Sequence, residues 1–183
     1  MKISAKKICF CAVALALGFV LSYIKIFTMP WGGSVTLCSM LVISMIGYWY
    51  GTKMGIGASV IYGILQLIQD GGGYILSPVQ VAFDYIFAFG ALGLTGLFQN
   101  KKNGFRNGYV LAILLRAFMN TVGGYVFWME YVPENFPKNL IMLYPIIYNY
   151  SFVLVEGIIS LIMIKIPATQ SALKYVNKMT KEE

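Results

Sequence analysis

Three charged side chains interrupt long apolar stretches of the sequence: Asp84, Arg116 and Glu156. A charge at the middle of a membrane-spanning helix costs about 2.5–3.5 kcal/mol, so each of these residues needs a partner or a function. Asp84 follows Pro78 by six residues and lies less than two turns into its helix. A carboxylate there suits a cation or an amino-bearing ring, but a structural ion pair with Arg116 explains it equally well.

The other two charges lie deeper in their helices. Arg116 is some ten residues into an apolar segment, a depth that favours a structural role over ligand contact. Glu156 is deep in the last apolar segment, and polar pairing between helices is its default interpretation.

Aromatic and amide side chains gather near the same ends of the later helices. Asn120 and Trp128 are eight residues apart and share a helix face, and Tyr144 and Tyr148 are one turn apart. Interfacial girdles explain many single aromatic residues. A carboxylate, two amides and several aromatics at one depth instead indicate a pocket for a flat, positively charged ring. The candidate binding residues are Tyr74, Asp84, Tyr85, Asn120, Trp128, Tyr144 and Asn149.

The composition determines the class of protein that must position these residues. Hydrophobic residues make up 58% of the 183 residues and charged residues 11%, against about 25% charged in soluble domains. The apolar runs are long enough to cross a bilayer core of about 30 Å, which predicts an integral membrane protein. The net charge of +7 lies in short connections and at the ends, so nucleic acid is not an expected partner.

Catalysis and metal binding find little support in the residue types. The absence of histidine excludes His-based metal sites and His-dependent acid–base catalysis. Cys9 and Cys11 would point to different faces of one helix, and Cys38 is also in apolar context, so buried small residues are the favoured interpretation. We expect no catalytic residue, no metal and no cofactor.

The apolar pattern predicts an all-α membrane protein, with residues 1–183 forming a single six-helix domain. The expected helices cover about 7–27, 35–50, 54–70, 78–98, 107–129 and 140–166, followed by a lysine-rich tail, 168–183, that is solvated or lies on the membrane surface. Most of the 14 basic residues fall at the two ends and in the 2–3 and 4–5 connections, whereas Lys25 and Lys138 fall on the other side. The positive-inside rule therefore predicts that both termini are cytoplasmic.

The first helix carries small residues on two neighbouring faces. Ala12 and Ala16 are four apart, as are Ala14 and Gly18, a spacing that lets another helix approach closely. Internal packing and docking of a partner protein both explain the pattern.

Several stretches resemble the thiamine-specific substrate-binding (S) component of energy-coupling factor (ECF) transporters. They are residues 29–37 (MPWGGSVTL), 78–85 (PVQVAFDY), 88–93 (AFGALG) and Tyr148-Asn149 with Glu156. The resemblance implies a six-helix domain in a prokaryotic plasma membrane, with an outward-facing pocket for thiamine. It implies capture without ATPase activity, with a transmembrane coupling subunit and two cytoplasmic ATPases as partners.

The same resemblance suggests roles for individual residues. Ala12 and Ala16 would dock the coupling subunit, and the loop around Trp31, Gly32 and Gly33 would close over the pocket. Asp84, Tyr85, Tyr74, Trp128, Tyr144 and Asn149 match ligand-associated positions. Asn120 stands where the family commonly has histidine, which leaves a related pyrimidine or thiazole precursor as an alternative ligand.

Three other functions remain as alternatives at this stage. An S component for another vitamin is the nearest of them. An intramembrane enzyme would need a catalytic constellation, and a channel or scaffold subunit would need a differently lined path through the bilayer.

Overall fold

A computed structural model describes residues 4–31, 33–72 and 75–181 of the chain. Gly32 and Tyr74, two of the residues singled out in the sequence, lie outside the described residues. The chain is mainly helical, as predicted, with one small hairpin. The helices are α1 (Ala5–Tyr23), α2 (Ser39–Tyr50), α3 (Thr52–Gln69), α4 (Pro78–Phe98), α5 (Gly104–Phe127), α6 (Tyr144–Lys165) and α7 (Pro167–Lys181), and the strands are β1 (Lys25–Thr28) and β2 (Ser34–Thr36).

The first helix is shorter than the apolar run that predicts it. α1 ends at Tyr23, and the chain then enters β1, which pairs antiparallel with β2. The expected helix over 7–27 is therefore wrong at its end, and the second helix begins at Ser39 rather than 35. Ile26, Phe27, Val35 and Thr36 are β-branched or aromatic, so the segment suits a hairpin once a partner strand is available.

Helix α4 begins where the sequence indicates. The Ser77 hydroxyl accepts a hydrogen bond from Gln80 N at 3.0 Å, and Pro78 occupies the first turn, so both features typical of a helix start are present. The helix is not regular beyond that point. A π-helical segment, Ala82–Phe87, carries Asp84 and Tyr85, and a 3₁₀ segment, Ala91–Phe98, completes it. Single π-helical turns are frequent at functional sites.

The later elements also depart from the predicted bounds. A 3₁₀ turn, Met129–Tyr131, follows α5, and another, Lys138–Leu143, precedes α6. The predicted tail contains the amphipathic helix α7, which Trp49 anchors by donating its indole N–H to Asn177 Oδ1 at 2.6 Å.

Four of the described helices are long and apolar enough to cross a membrane. They are α1, α4, α5 and the helical stretch Lys138–Lys165, which contains α6. Helix α2 is apolar but has 12 residues, about 18 Å of helix against a core of about 30 Å. The count of six crossings therefore stays a prediction.

Glycine lets α2, α3, α4 and α5 approach closely in one half of the bundle. A Cβ on Gly47 would lie 2.5 Å from the Gly93 carbonyl oxygen, and one on Gly108 would lie 3.0 Å from Thr95 Cα. Backbone atoms of neighbouring helices are in contact there. The bundle is therefore tightly packed around Gly47, Gly55, Gly93 and Gly96.

Candidate functional site

A cavity of about 590 Å³ lies between the hairpin and helices α3 to α6. This volume is within the range of small-molecule sites. Six of the seven predicted binding residues line it: Asp84, Tyr85, Asn120, Trp128, Tyr144 and Asn149. Residues from three different helices therefore meet in one space, although up to 65 positions separate them in sequence.

Asp84 is held by two donors. Its Oδ2 accepts a hydrogen bond from Gln80 Nε2 at 2.6 Å and another from Trp128 Nε1 at 3.0 Å. No ion pair joins it to Arg116, whose guanidinium lies 4.0 Å from the centre of the Phe89 ring. Of the two explanations open for Asp84, the structural pair with Arg116 is not the one formed among these described residues.

Gln80 is a site residue that the sequence analysis did not single out. It is fully buried, and its Oε1 accepts from Leu76 N at 3.2 Å while its Nε2 donates to Asp84. The amide thereby fixes the direction of the carboxylate. Its position four residues before Asp84 on a helix was the available signal, because such pairs face each other.

Close backbone packing brings α5 up to this carboxylate. A Cβ on Gly123 would lie 2.6 Å from Asp84 Oδ1, so a larger residue there would displace the carboxylate from its present position. Trp128 lies just past the end of α5, and its Nε1 reaches the same carboxylate.

Tyr85 and the two asparagines complete the polar lining. The Tyr85 hydroxyl donates to Asp70 Oδ2 at 2.7 Å. Asn149 Nδ2 donates to the carbonyl oxygens of Asn120 (3.2 Å) and Pro145 (2.9 Å), which ties α6 to α5. The side-chain Oδ1 of Asn120 is buried and has no hydrogen-bond partner. An acceptor in that state suits a donor on a bound molecule, because a buried polar atom without a partner is costly.

The hairpin lines one side of the cavity and is joined to the α5–α6 connection by aromatic contacts. Trp31 packs edge-on against Phe136 with ring centres 4.9 Å apart, and Phe136 meets Tyr144 at the same distance. Gly33 has φ +75°, and a Cβ there would lie 2.5 Å from Phe152 Cδ1. Both Trp31 and Gly33 line the cavity. Phe136, in the α5–α6 connection, was missed because nothing in its local sequence indicates this contact.

Glu156 connects α6 to the segment after the hairpin. Its carboxylate accepts from Thr36 N (2.9 Å), the Thr36 hydroxyl (2.7 Å) and Met40 N (3.1 Å). A carboxylate at the start of α2 also interacts favourably with the helix dipole. The Ser39 hydroxyl, in the first turn of α2, also donates to Glu156 at 3.3 Å, so the expected polar pairing between helices is formed at the start of α2.

The structure separates the two small-residue faces of α1. Ala14 and Gly18 are buried, and a Cβ on Gly18 would lie 2.6 Å from Ile43 Cδ1. Ala12 and Ala16 are exposed on the bundle surface. Internal packing thus accounts for one face and leaves the other open to contact from outside the chain.

Comparison with known proteins gives a consistent set of similarities. A family model described as thiamine transporter protein matches residues 8–176. The chain is 30% identical over 150 residues to the thiamine transporter ThiT of Bacillus subtilis strain 168, covering 75% of this chain and 76% of that protein. It is 27% identical over 136 residues to ThiT of Lacticaseibacillus paracasei, covering 66% of each.

A solved structure is also similar. ThiT from Listeria monocytogenes superposes with a TM-score of 0.69 at 25% sequence identity. The match covers 88% of this chain and 94% of that one.

Proposed function

The chain belongs to the thiamine transporter protein family, and on that premise we propose that it captures thiamine as the S component of an ECF-type importer. In this function thiamine enters from outside the cell and binds in the cavity. Partner subunits that hydrolyse ATP then drive its delivery. Because the family is one of transporters, binding without turnover is the activity of this chain.

The observation that carries the proposal is the polar lining of the cavity. Thiamine joins an aminopyrimidine to a permanently cationic thiazolium. Asp84 supplies a counter-charge or accepts from the amino group, and the buried Oδ1 of Asn120 accepts a further hydrogen bond. Trp128 offers an aromatic face to a cationic ring. Tyr85, Tyr144 and Asn149 add directional contacts from the same cavity wall, and Tyr74 is proposed as a seventh ligand residue.

The membrane arrangement is part of the proposal. Six crossings with both termini in the cytoplasm agree with the distribution of basic residues, and α2 and α3 would be the two short crossings. The hairpin and the α5–α6 connection would then face outside, and the protein would lie in the plasma membrane of a prokaryote. The Trp31–Gly33 loop would act as the gate over bound thiamine.

The partners follow from the same assignment. We propose that Ala12 and Ala16 dock a transmembrane coupling subunit, which associates with two cytoplasmic ATPases. Their exposure on α1 supports this, since small residues allow another helix to approach closely.

Titration of the purified protein with thiamine, followed by tryptophan fluorescence and native mass spectrometry, tests the function. Trp31 and Trp128 line the cavity, whereas Trp49 bonds to Asn177 on α7 and does not. Thiamine is expected to quench the unaltered protein and the Trp49→Phe variant to a similar extent. A variant carrying both Trp31→Phe and Trp128→Phe should lose the response.

The same titration separates the alternative ligands. Riboflavin, biotin, and the separate pyrimidine and thiazole halves of thiamine serve as competitors. Tighter binding of one half than of thiamine would assign the chain to a precursor instead. Neither quenching nor a bound mass with thiamine would contradict the proposal.

A further inference from the structure

Arg116 lines one end of the cavity, seven residues along α5 from the Gly123–Asp84 contact, and its donors are unused among the described residues. Its guanidinium rests on the face of Phe89, 4.0 Å from the ring centre, and its Nε is buried without a hydrogen-bond partner. None of the residues in 4–31, 33–72 and 75–181 accepts a hydrogen bond from it. Phe89 is thus a packing partner for Arg116, but no hydrogen bond among these described residues satisfies its donors.

An arginine in this state needs an acceptor from elsewhere. The Phe89 ring contacts the flat face of the guanidinium, but the five N–H donors lie in its plane and are not satisfied by that contact. Leaving a buried charge without hydrogen bonds is costly, and in a membrane helix the cost is higher still. Since Arg116 lines the cavity, a molecule in the cavity is the available source of an acceptor.

Glu156 lines the same end of the cavity but is already engaged. Both of its oxygens accept hydrogen bonds from the start of α2 and from Thr36. Its charge still acts on whatever binds beside Arg116, and repels an anion there. A neutral acceptor, such as a hydroxyl or an aromatic ring nitrogen, suits this surrounding better than a phosphate or carboxylate does.

The spacing along α5 gives the distance between the two charged ends of the site. Asp84 lies against Gly123, and Arg116 precedes Gly123 by seven residues, about 10 Å along the helix axis. The unpartnered Oδ1 of Asn120 lies between them on the same helix. The cavity therefore offers the Asp84 carboxylate as an acceptor at one end, Asn120 Oδ1 as an acceptor in the middle and the Arg116 guanidinium as a donor at the other end.

We propose that Arg116 forms a second subsite in the cavity. There it donates a hydrogen bond to a neutral acceptor at the end of the ligand opposite the end that Asp84 binds. This inference rests on the proposed function. Thiamine fits it in either direction, because the hydroxyl oxygen lies at its thiazole end and ring nitrogens lie at its pyrimidine end. Arg116 is thus a specificity-determining residue that selects molecules with an acceptor at the far end.

The experiment compares three ligands on three forms of the full-length protein in detergent. The ligands are thiamine, an analogue with ethyl in place of hydroxyethyl, and an analogue with CH in place of a pyrimidine nitrogen. The proteins are the unaltered chain, Arg116→Met and Arg116→Lys. Arg106→Met, at an exposed position on the same helix, is the matched control. Calorimetry gives affinities, and thermal unfolding without ligand reports folding.

Arg116→Met should weaken thiamine binding roughly 10- to 100-fold, as expected for a hydrogen bond from a charged donor. On the unaltered chain, one of the two analogues should bind roughly 10- to 100-fold more weakly than thiamine. On Arg116→Met, the same analogue and thiamine should bind with equal affinity. Arg116→Lys should fall between, and Arg106→Met should match the unaltered chain.

Three results would overturn the inference. The first is unchanged thiamine affinity in Arg116→Met. The second is a lowered unfolding temperature with ligand discrimination intact, which is what a purely structural arginine would give. The third is tighter binding of thiamine phosphate than of thiamine, lost in Arg116→Met, which would identify an anion subsite instead. Failure of the unaltered chain to bind thiamine at all would instead contradict the proposed function, and this inference with it.

Discussion

Thr36 donates two hydrogen bonds to one oxygen of Glu156, from its backbone N–H at 2.9 Å and from its hydroxyl at 2.7 Å. The two residues are 120 positions apart, and the bonds join the end of the hairpin to α6. Glu156 is 3% exposed, so these bonds are largely shielded from bulk water. The carboxylate therefore fixes the base of the hairpin that lines the cavity.

Glu156→Gln is expected to destabilise the protein by about 2–3 kcal/mol. The amide oxygen is a weaker acceptor than a carboxylate at the start of α2, and the amide NH₂ group would face N–H and O–H donors that now bond to the carboxylate. Thermal unfolding in detergent measures the change. Glu134→Gln, at an exposed position, is the control and should leave the unfolding temperature unchanged. Equal unfolding temperatures for both variants would contradict the role given to Glu156.

Asp84→Asn is expected to lower thiamine affinity by about 10- to 100-fold, since it removes the counter-charge while keeping the size of the side chain. Calorimetric titration measures it. Glu130→Gln removes an exposed carboxylate that does not line the cavity and serves as the control. An affinity within twofold of the unaltered chain would show that Asp84 does not pair with the ligand.

Gly33→Ala is expected to shorten the residence time of thiamine, because the added methyl group collides with Phe152 and alanine disfavours φ +75°. The hairpin would then close less completely over the cavity. Stopped-flow displacement gives the dissociation rate, which should rise several-fold. Gly57→Ala, where a Cβ meets nothing within 4 Å, should dissociate at the original rate. Equal rates for both variants would argue against a closing loop.

Ala16→Trp is expected to abolish assembly with the coupling subunit while thiamine binding by the isolated chain persists. The reason is steric: Ala16 is exposed on α1 and a large ring there keeps a second helix away. Co-purification measures assembly, and fluorescence titration measures binding. Ile158→Trp, at an exposed apolar residue on α6, is the control. Intact assembly of Ala16→Trp would move the docking surface elsewhere.

Helices could be predicted where neighbouring residues in the sequence determine their start or their apolar character. Apolar runs gave the helical class, and Ser77-Pro78 gave the start of α4 correctly. The end of α1 was missed because Ile24 to Thr28 is as apolar as the helix before it. Only its pairing with Ser34–Thr36 makes it a strand, and that partner is a tertiary contact.

The site was predictable where one helix carries the spacing. Asn120 on α5 and Trp128 just past its end both line the cavity, in agreement with their eight-residue spacing. Contacts between distant elements were not predictable, such as Phe136 against Trp31 or Glu156 against Thr36. Depth in its helix favoured a structural role for Arg116, and its place in the cavity lining was not predictable from spacing.

The glycine contacts among α2, α3, α4 and α5 have a mechanical consequence. A Cβ on Gly47 would meet the Gly93 carbonyl oxygen and one on Gly108 would meet Thr95 Cα, and backbone atoms cannot rotate aside as a side chain does. The spacing between these helices can therefore change only when whole helices move, and a larger residue at either glycine would have to displace one of them.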